Sequence, residues 1–170
     1  LKAPVPIRPW LELRMPTFGL SDDHTNQLIG FFNGIAKVDI PFAYIDDKKI
    51  PPEHIEAAKQ LVSKDYFNCF SCHQQGDKKP EGPVEGWAPD LTLARQRLNP
   101  NWILKWLKDP QKVQPGTKMP SFYPGGPDDI LGGKEDLQIE ALRDYLMSIG
   151  RGAPAPAAPA VAAKAKPGKS

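Results

Sequence analysis

The chain has 170 residues, a net charge of +2 and 20 prolines. That length holds one ordinary domain plus extensions. The near-neutral charge argues against a nucleic-acid partner, and no apolar run approaches the roughly 18 residues that a membrane span needs. So many prolines predict short helices joined by long irregular segments.

Residues 1–20 are proline-rich and carry Arg14-Met15-Pro16-Thr17-Phe18. Ser21-Asp22-Asp23 then predicts a helix start, with serine as the cap and acids at the positive end of the dipole. Leu28, Ile29, Phe31, Phe32 and Ile35 supply its apolar face, and Gly34 or the run to Pro41 ends it. Residues 37–51 read as a connector broken by Pro41 and Pro51-Pro52. From Pro52 the spacing of Ile55, Ala58, Leu61, Val62 and Phe67 predicts a helix over Glu53–Tyr66 that delivers the chain to Cys69. A polar loop spans Gln74 to Gly86. After Trp87-Ala88-Pro89-Asp90-Leu91 comes a short helix around Thr92–Leu98. Asn99-Pro100 opens another helix, with asparagine as cap and proline at the first position. It carries Trp102, Ile103, Trp106 and Leu107 and stops before Asp109-Pro110. An extended loop leads to Pro115-Gly116-Thr117-Lys118-Met119-Pro120. Beyond the glycine pairs at 125–126 and 132–133, a last helix over Lys134–Ile149 buries Leu137, Ala141, Leu142, Tyr145, Leu146 and Ile149, and Gly150 ends it. Residues 151–170 are mostly alanine, proline, lysine and glycine, too poor in apolar surface to fold, and read as a disordered or polyproline-like tail. No segment alternates with period two, so the expected class is all-α.

Cys69-Phe70-Ser71-Cys72-His73 is the chemical centre of this chain. Two cysteines separated by two residues and followed at once by histidine form the attachment signature of c-type haem. Each thiol adds to one porphyrin vinyl group, and the histidine is held as the proximal ligand of the iron. Cys69 and Cys72 are the only cysteines. A thioredoxin-like dithiol would need a βαβ context, zinc would need another ligand pair at close spacing, and a structural disulfide would leave the histidine unexplained.

The sixth iron position points to Met119, in a loop stiffened by Pro115 and Pro120. The bland reading makes Met119 a gap-filling core residue. Met147 lies inside the last helix, where it cannot easily cover the haem face. His24 and His54 are bis-histidine alternatives. Methionine ligation raises the reduction potential relative to two histidines.

Taken together and in this order, the helix ending in Cys69–His73, the Ala88-Pro89-Asp90-Leu91 stretch, the Pro115–Pro120 loop and the closing helix with Tyr145 make residues 52–150 resemble a class I c-type cytochrome domain. The resemblance implies four to five helices wrapped around one covalent haem, with the first and last helices meeting through Ala57/Ala58 and Tyr145 or Leu142. It also implies a proline carbonyl accepting the Nδ1–H of His73, Pro89 fitting best and Pro83 being the alternative. Arg97, Trp102 and Trp106 become candidates for the haem propionates, since guanidinium and indole N–H are suitable donors; the tryptophans fit equally well as core. The implied function is electron transfer, with no substrate bond made or broken. A catalytic or gas-binding haem protein with a labile sixth ligand is the alternative.

Because covalent haem attachment in bacteria occurs outside the cytoplasm, the resemblance further implies a periplasmic or extracytoplasmic site and a leader. The chain accordingly reads as a fragment of a longer one, membrane-associated if at all through other parts or subunits. Expected partners are redox proteins or other subunits of a respiratory complex, with Lys112 and Lys118 as candidates for a docking rim.

One internal repeat stands out. Arg14-Met15-Pro16-Thr17-Phe18 mirrors Lys118-Met119-Pro120-Ser121-Phe122, Ile7-Arg8-Pro9 echoes Val113-Gln114-Pro115, and each methionine segment is followed by a turn and an acid-led helix. Residues 1–36 therefore read as the methionine loop and last helix of a preceding cytochrome c domain, with 37–51 as connector, 52–150 as the haem domain and 151–170 as tail. On that reading Met15 belongs to a second haem; the alternative makes Met15 and Phe18 core residues of an N-terminal extension.

Overall fold

In the computed structural model the described residues are 1, 2, 4, 6–12, 15–37 and 47–150. The expected tail over 151–170, most of the connector and Arg14 lie outside them. The described residues form six α-helices: α1 (Asp22–Ala36), α2 (Pro52–Leu61), α3 (Ala94–Arg97), α4 (Pro100–Lys108), α5 (Pro110–Val113) and α6 (Glu135–Ile149). Single 3₁₀ turns punctuate the loops, one of them at Cys69–Ser71. No strand occurs among the described residues, only isolated bridges between His73 and Ala88 and between Gln75 and Lys78. The class is all-α, as the periodicity requires.

Local chemistry sets the helix ends. Ser21 caps α1 by accepting the His24 amide at 3.1 Å. Asn99 accepts the Asn101 amide at 2.8 Å, with Pro100 as the first helical residue of α4. α2 departs from expectation. It ends at Leu61 rather than Tyr66, and the chain folds into tight turns in which the amides of Phe67, Asn68 and Cys69 return to the carbonyls of Leu61, Ser63 and Val62. Asn68, at φ 49°, takes the left-handed conformation that asparagine tolerates well, and this aims Cys69 back under the helix. α5 was not expected either. The Asp109 carboxylate accepts the Lys112 amide at 3.0 Å, so Asp109-Pro110 both closes α4 and starts α5.

The core is centred on α2 and α6, the most extensively packed pair of elements. Ala57, Ala58 and Leu61 of α2 and Ala141, Leu142, Tyr145 and Leu146 of α6 are all buried, joined by Ile103 and Leu107 of α4. The small residues of α2 allow close approach, and each large aliphatic side chain removed from water stabilises by about 1.5–3 kcal/mol. Met147 is fully buried in this core. A polar clasp joins the same helices: Asp144, 2% exposed, lies 2.7 Å from His54 Nδ1 and accepts the Arg143 Nε–H at 2.9 Å. α1, by contrast, has no buried residue.

Candidate functional site

Cys69 and Cys72 sit at the two ends of the 3₁₀ turn that follows α2, and both are free thiols. Burial pushes the Cys69 thiol up to about 11. Cys69 packs against the buried core, as do the partly buried Phe67, Phe70, Leu91, Leu98, Leu104, Met119 and Phe122, while Cys72 is exposed. Of the other readings of the two cysteines, the zinc site finds no support: among the described residues no group of three or more His, Cys, Asp or Glu side chains could hold a metal ion.

The histidine side is assembled by one hydrogen-bonded segment. Residues 87–91 run beside 72–75, with the Ala88 amide donating to the Cys72 carbonyl at 2.8 Å and the Leu91 amide to the Gln74 carbonyl at 2.9 Å. This register brings the Pro89 carbonyl to 2.8 Å from His73 Nδ1. A carbonyl only accepts, so Nδ1 carries the proton and Nε2 keeps its lone pair. Burial, with a contribution from the Arg8 charge, holds the His73 pKa below its ordinary value, which favours the neutral imidazole that ligation requires. The Pro83 carbonyl is occupied by the Gly86 amide at 3.0 Å. Asp90 secures the segment: its Oδ1 accepts the Gly76 amide at 3.0 Å, the Thr92 amide at 2.9 Å and the Thr92 hydroxyl at 2.8 Å. Gly76, at φ 60°, supplies the turn that presents its amide to Asp90.

The methionine side is built from α4, α5 and the loop after them. Trp106 donates its indole N–H to Met119 Sδ at 2.9 Å, and its ring stacks on Trp102 with centroids 5.0 Å apart. Indole has a single donor, and in this structure Trp106 gives it to the thioether. Gln111 of α5 donates to the carbonyls of Thr117 at 2.7 Å and Met119 at 3.0 Å, fixing the backbone on both sides of Lys118. Lys118 itself reaches the Glu85 carbonyl at 3.2 Å. Trp102 and Arg97 are exposed. Of the histidine alternatives, His54 is engaged by Asp144, and His24 lies in exposed α1. A separate groove of about 540 Å³ beside α4 and α5, lined by Lys105, Lys108, Lys112 and Tyr123, does not include Cys69, His73 or Met119.

Asp90 and Gln111 escaped sequence reasoning as site residues. Asp90 left a usable signal, since aspartate two residues before threonine commonly closes such a turn. Gln111 left none, because its partners are main-chain carbonyls brought near only by the fold.

These residues fit covalent haem. Two free thiols, an imidazole with one nitrogen tied to a carbonyl, a thioether and an apolar lining form the donor set of a c-type centre. The fold and site thus define a helical, haem-holding redox domain. Residues 55–150 match the Cytochrome c family, and the chain belongs to that family. Membership implies covalently bound haem c and haem-based electron transfer. The chain is also similar, at 32% identity over 92 residues, to cytochrome c oxidase subunit 2 of Bacillus subtilis (strain 168), with 48% of this chain and 23% of that protein covered. Cytochrome c oxidase subunit 2 of Bacillus sp. (strain PS3) is 35% identical over 92 residues, with the same shares covered. The chain spans only about a quarter of the length of these relatives, 23% of each.

Proposed function

We propose that residues 52–150 relay single electrons through one haem c held by Cys69 and Cys72 and ligated by His73 and Met119, within an extracytoplasmic respiratory chain. When bound, the haem supplies the ferric/ferrous couple. The chain's own residues tune it. Pro89 orients the His73 ring and strengthens its basicity through Nδ1, and Trp106 polarises the Met119 sulfur. The apolar lining limits water access and so lowers the cost of rearranging solvent as the charge changes. The observation that carries this reading is the pairing of a fixed His73 with a Met119 whose sulfur and own carbonyl, together with the Thr117 carbonyl, are held. A thioether restrained in this way favours an electron carrier over a gas-binding or catalytic haem with an open sixth site.

The likeness to part of cytochrome c oxidase subunit 2 supports a place beside, or as a module of, a membrane-bound oxidoreductase. Among the described residues no helix is long and apolar enough to cross a membrane, so on this reading attachment runs through other parts or subunits. Lys112 and Lys118 are proposed contacts for an acidic redox partner. A pyridine haemochrome spectrum with intact mass tests the cofactor, with one covalent haem expected for this domain. The ferric far-red sulfur-to-iron absorption tests Met119. Its absence, or ready CO binding by the reduced protein, would turn the reading toward the open-site class.

A further inference from the structure

Met15 and α1 repeat the methionine half of the haem domain in sequence while inverting its burial. Arg14-Met15-Pro16-Thr17-Phe18 parallels Lys118-Met119-Pro120-Ser121-Phe122. Each precedes a 15-residue helix with two acids in its first turn, α1 in one case and α6 in the other. Aligning the helix starts without gaps places Ile29 on Leu142 and Phe32 on Tyr145. Leu142 and Tyr145 are 4% and 8% exposed, whereas Ile29 and Phe32 are 42% and 59% exposed. The loops show the same contrast: Met119 and Phe122 pack against the core, but Met15 and Phe18 are 50% and 63% exposed.

The α6 face is covered by α2, the helix that leads to Cys69. The equivalent α1 face has no such cover among the described residues, and apolar exposure of this extent marks an interaction surface. We propose that Met15 is the axial sulfur ligand of a second haem c, and that α1 closes against the attachment helix of an earlier module in the same polypeptide. This rests on the His73/Met119 reading, which serves as its template. In residues 52–150 the attachment motif precedes the methionine, so the motif paired with Met15 precedes it too; Cys69 and Cys72, the only cysteines of residues 1–170, lie after it. The strap leading to Met15 also touches the haem domain. Trp10 packs edge-on against Trp87, with centroids 5.4 Å apart, and Trp87 opens the segment that carries Pro89.

The natural polypeptide containing residues 1–170, purified with its haems, is expected to hold at least two haems per chain by pyridine haemochrome and intact mass. Met15→Ala should remove one haem's share of the far-red sulfur-to-iron absorption and lower one reduction potential, while Met119→Ala removes a different share. Met15→Leu, which keeps side-chain volume, should behave as Met15→Ala does. A single haem per chain, or Met15 variants with unchanged absorption and potentials, overturns the proposal. So does a single-haem chain whose self-association or vesicle binding disappears in Phe31→Ser/Phe32→Ser, which would give the face to a second copy or a lipid surface. An unchanged spectrum in Met119→Ala alone counts against the domain reading rather than against Met15.

Discussion

The indole N–H of Trp106 lies 2.9 Å from the sulfur of Met119, joining α4 to the loop that offers the thioether. A donor on that sulfur withdraws electron density from it and favours the more electron-rich, ferrous iron. Trp106→Phe keeps a smaller ring to stack on Trp102 and deletes the N–H. Potentiometric titration should give a lower reduction potential, and CO should bind the ferrous protein faster. An unchanged potential would mean that the contact carries no electronic weight.

Asp90 accepts three hydrogen bonds at the turn beside the histidine. Asp90→Ala leaves the Gly76 and Thr92 donors without their acceptor and loosens the segment holding the Pro89 carbonyl. We expect a loss of about 1–3 kcal/mol in denaturant unfolding. The potential should rise, because a less basic His73 stabilises ferric iron less.

The His54–Asp144–Arg143 clasp is nearly dry on its carboxylate side. Asp144→Ala strands Arg143 and His54 against α6 and should cost about 3–5 kcal/mol, read as a lower unfolding midpoint. The haem spectrum at low denaturant should be unchanged, since the clasp lies at the helix pair and not on the ligands.

Gly150 ends α6 where a side chain would collide with the Thr92 carbonyl. Gly150→Ala forces the α6 terminus away from the turn that Asp90 organises. The expected cost is about 1–3 kcal/mol, measurable as a drop in Tm. A neutral outcome would mean that the terminus can shift freely.

Much of this was legible in the sequence because the determinants are local. Ser21, Asn99-Pro100 and Gly150 mark helix ends within a residue of where they fall. Cys69–His73 names its own chemistry through covalent spacing. What stayed hidden depends on the tertiary fold. The early end of α2 follows from amides turning back to Leu61, Val62 and Ser63, which helical periodicity through Val62 and Phe67 conceals. The direction of the Trp106 donor could not be read from spacing, since an indole on an amphipathic helix suits core, propionate or sulfur equally. Gln111 looked like any solvated polar residue until the fold brought two carbonyls to it.

The Pro89–His73 hydrogen bond closes within residues 69–92, and the Met119 contacts close within residues 99–123. Each half is thus a short loop with a small closure entropy, and the Lys118 ammonium, donating to the Glu85 carbonyl at 3.2 Å, ties the two together. On the proposed ligation, once that exposed contact breaks the methionine flap is expected to swing off while the imidazole stays seated. Mild denaturant or strong exogenous ligands should peel the two faces of the cofactor apart in sequence, making the molecule a latch that opens from one side.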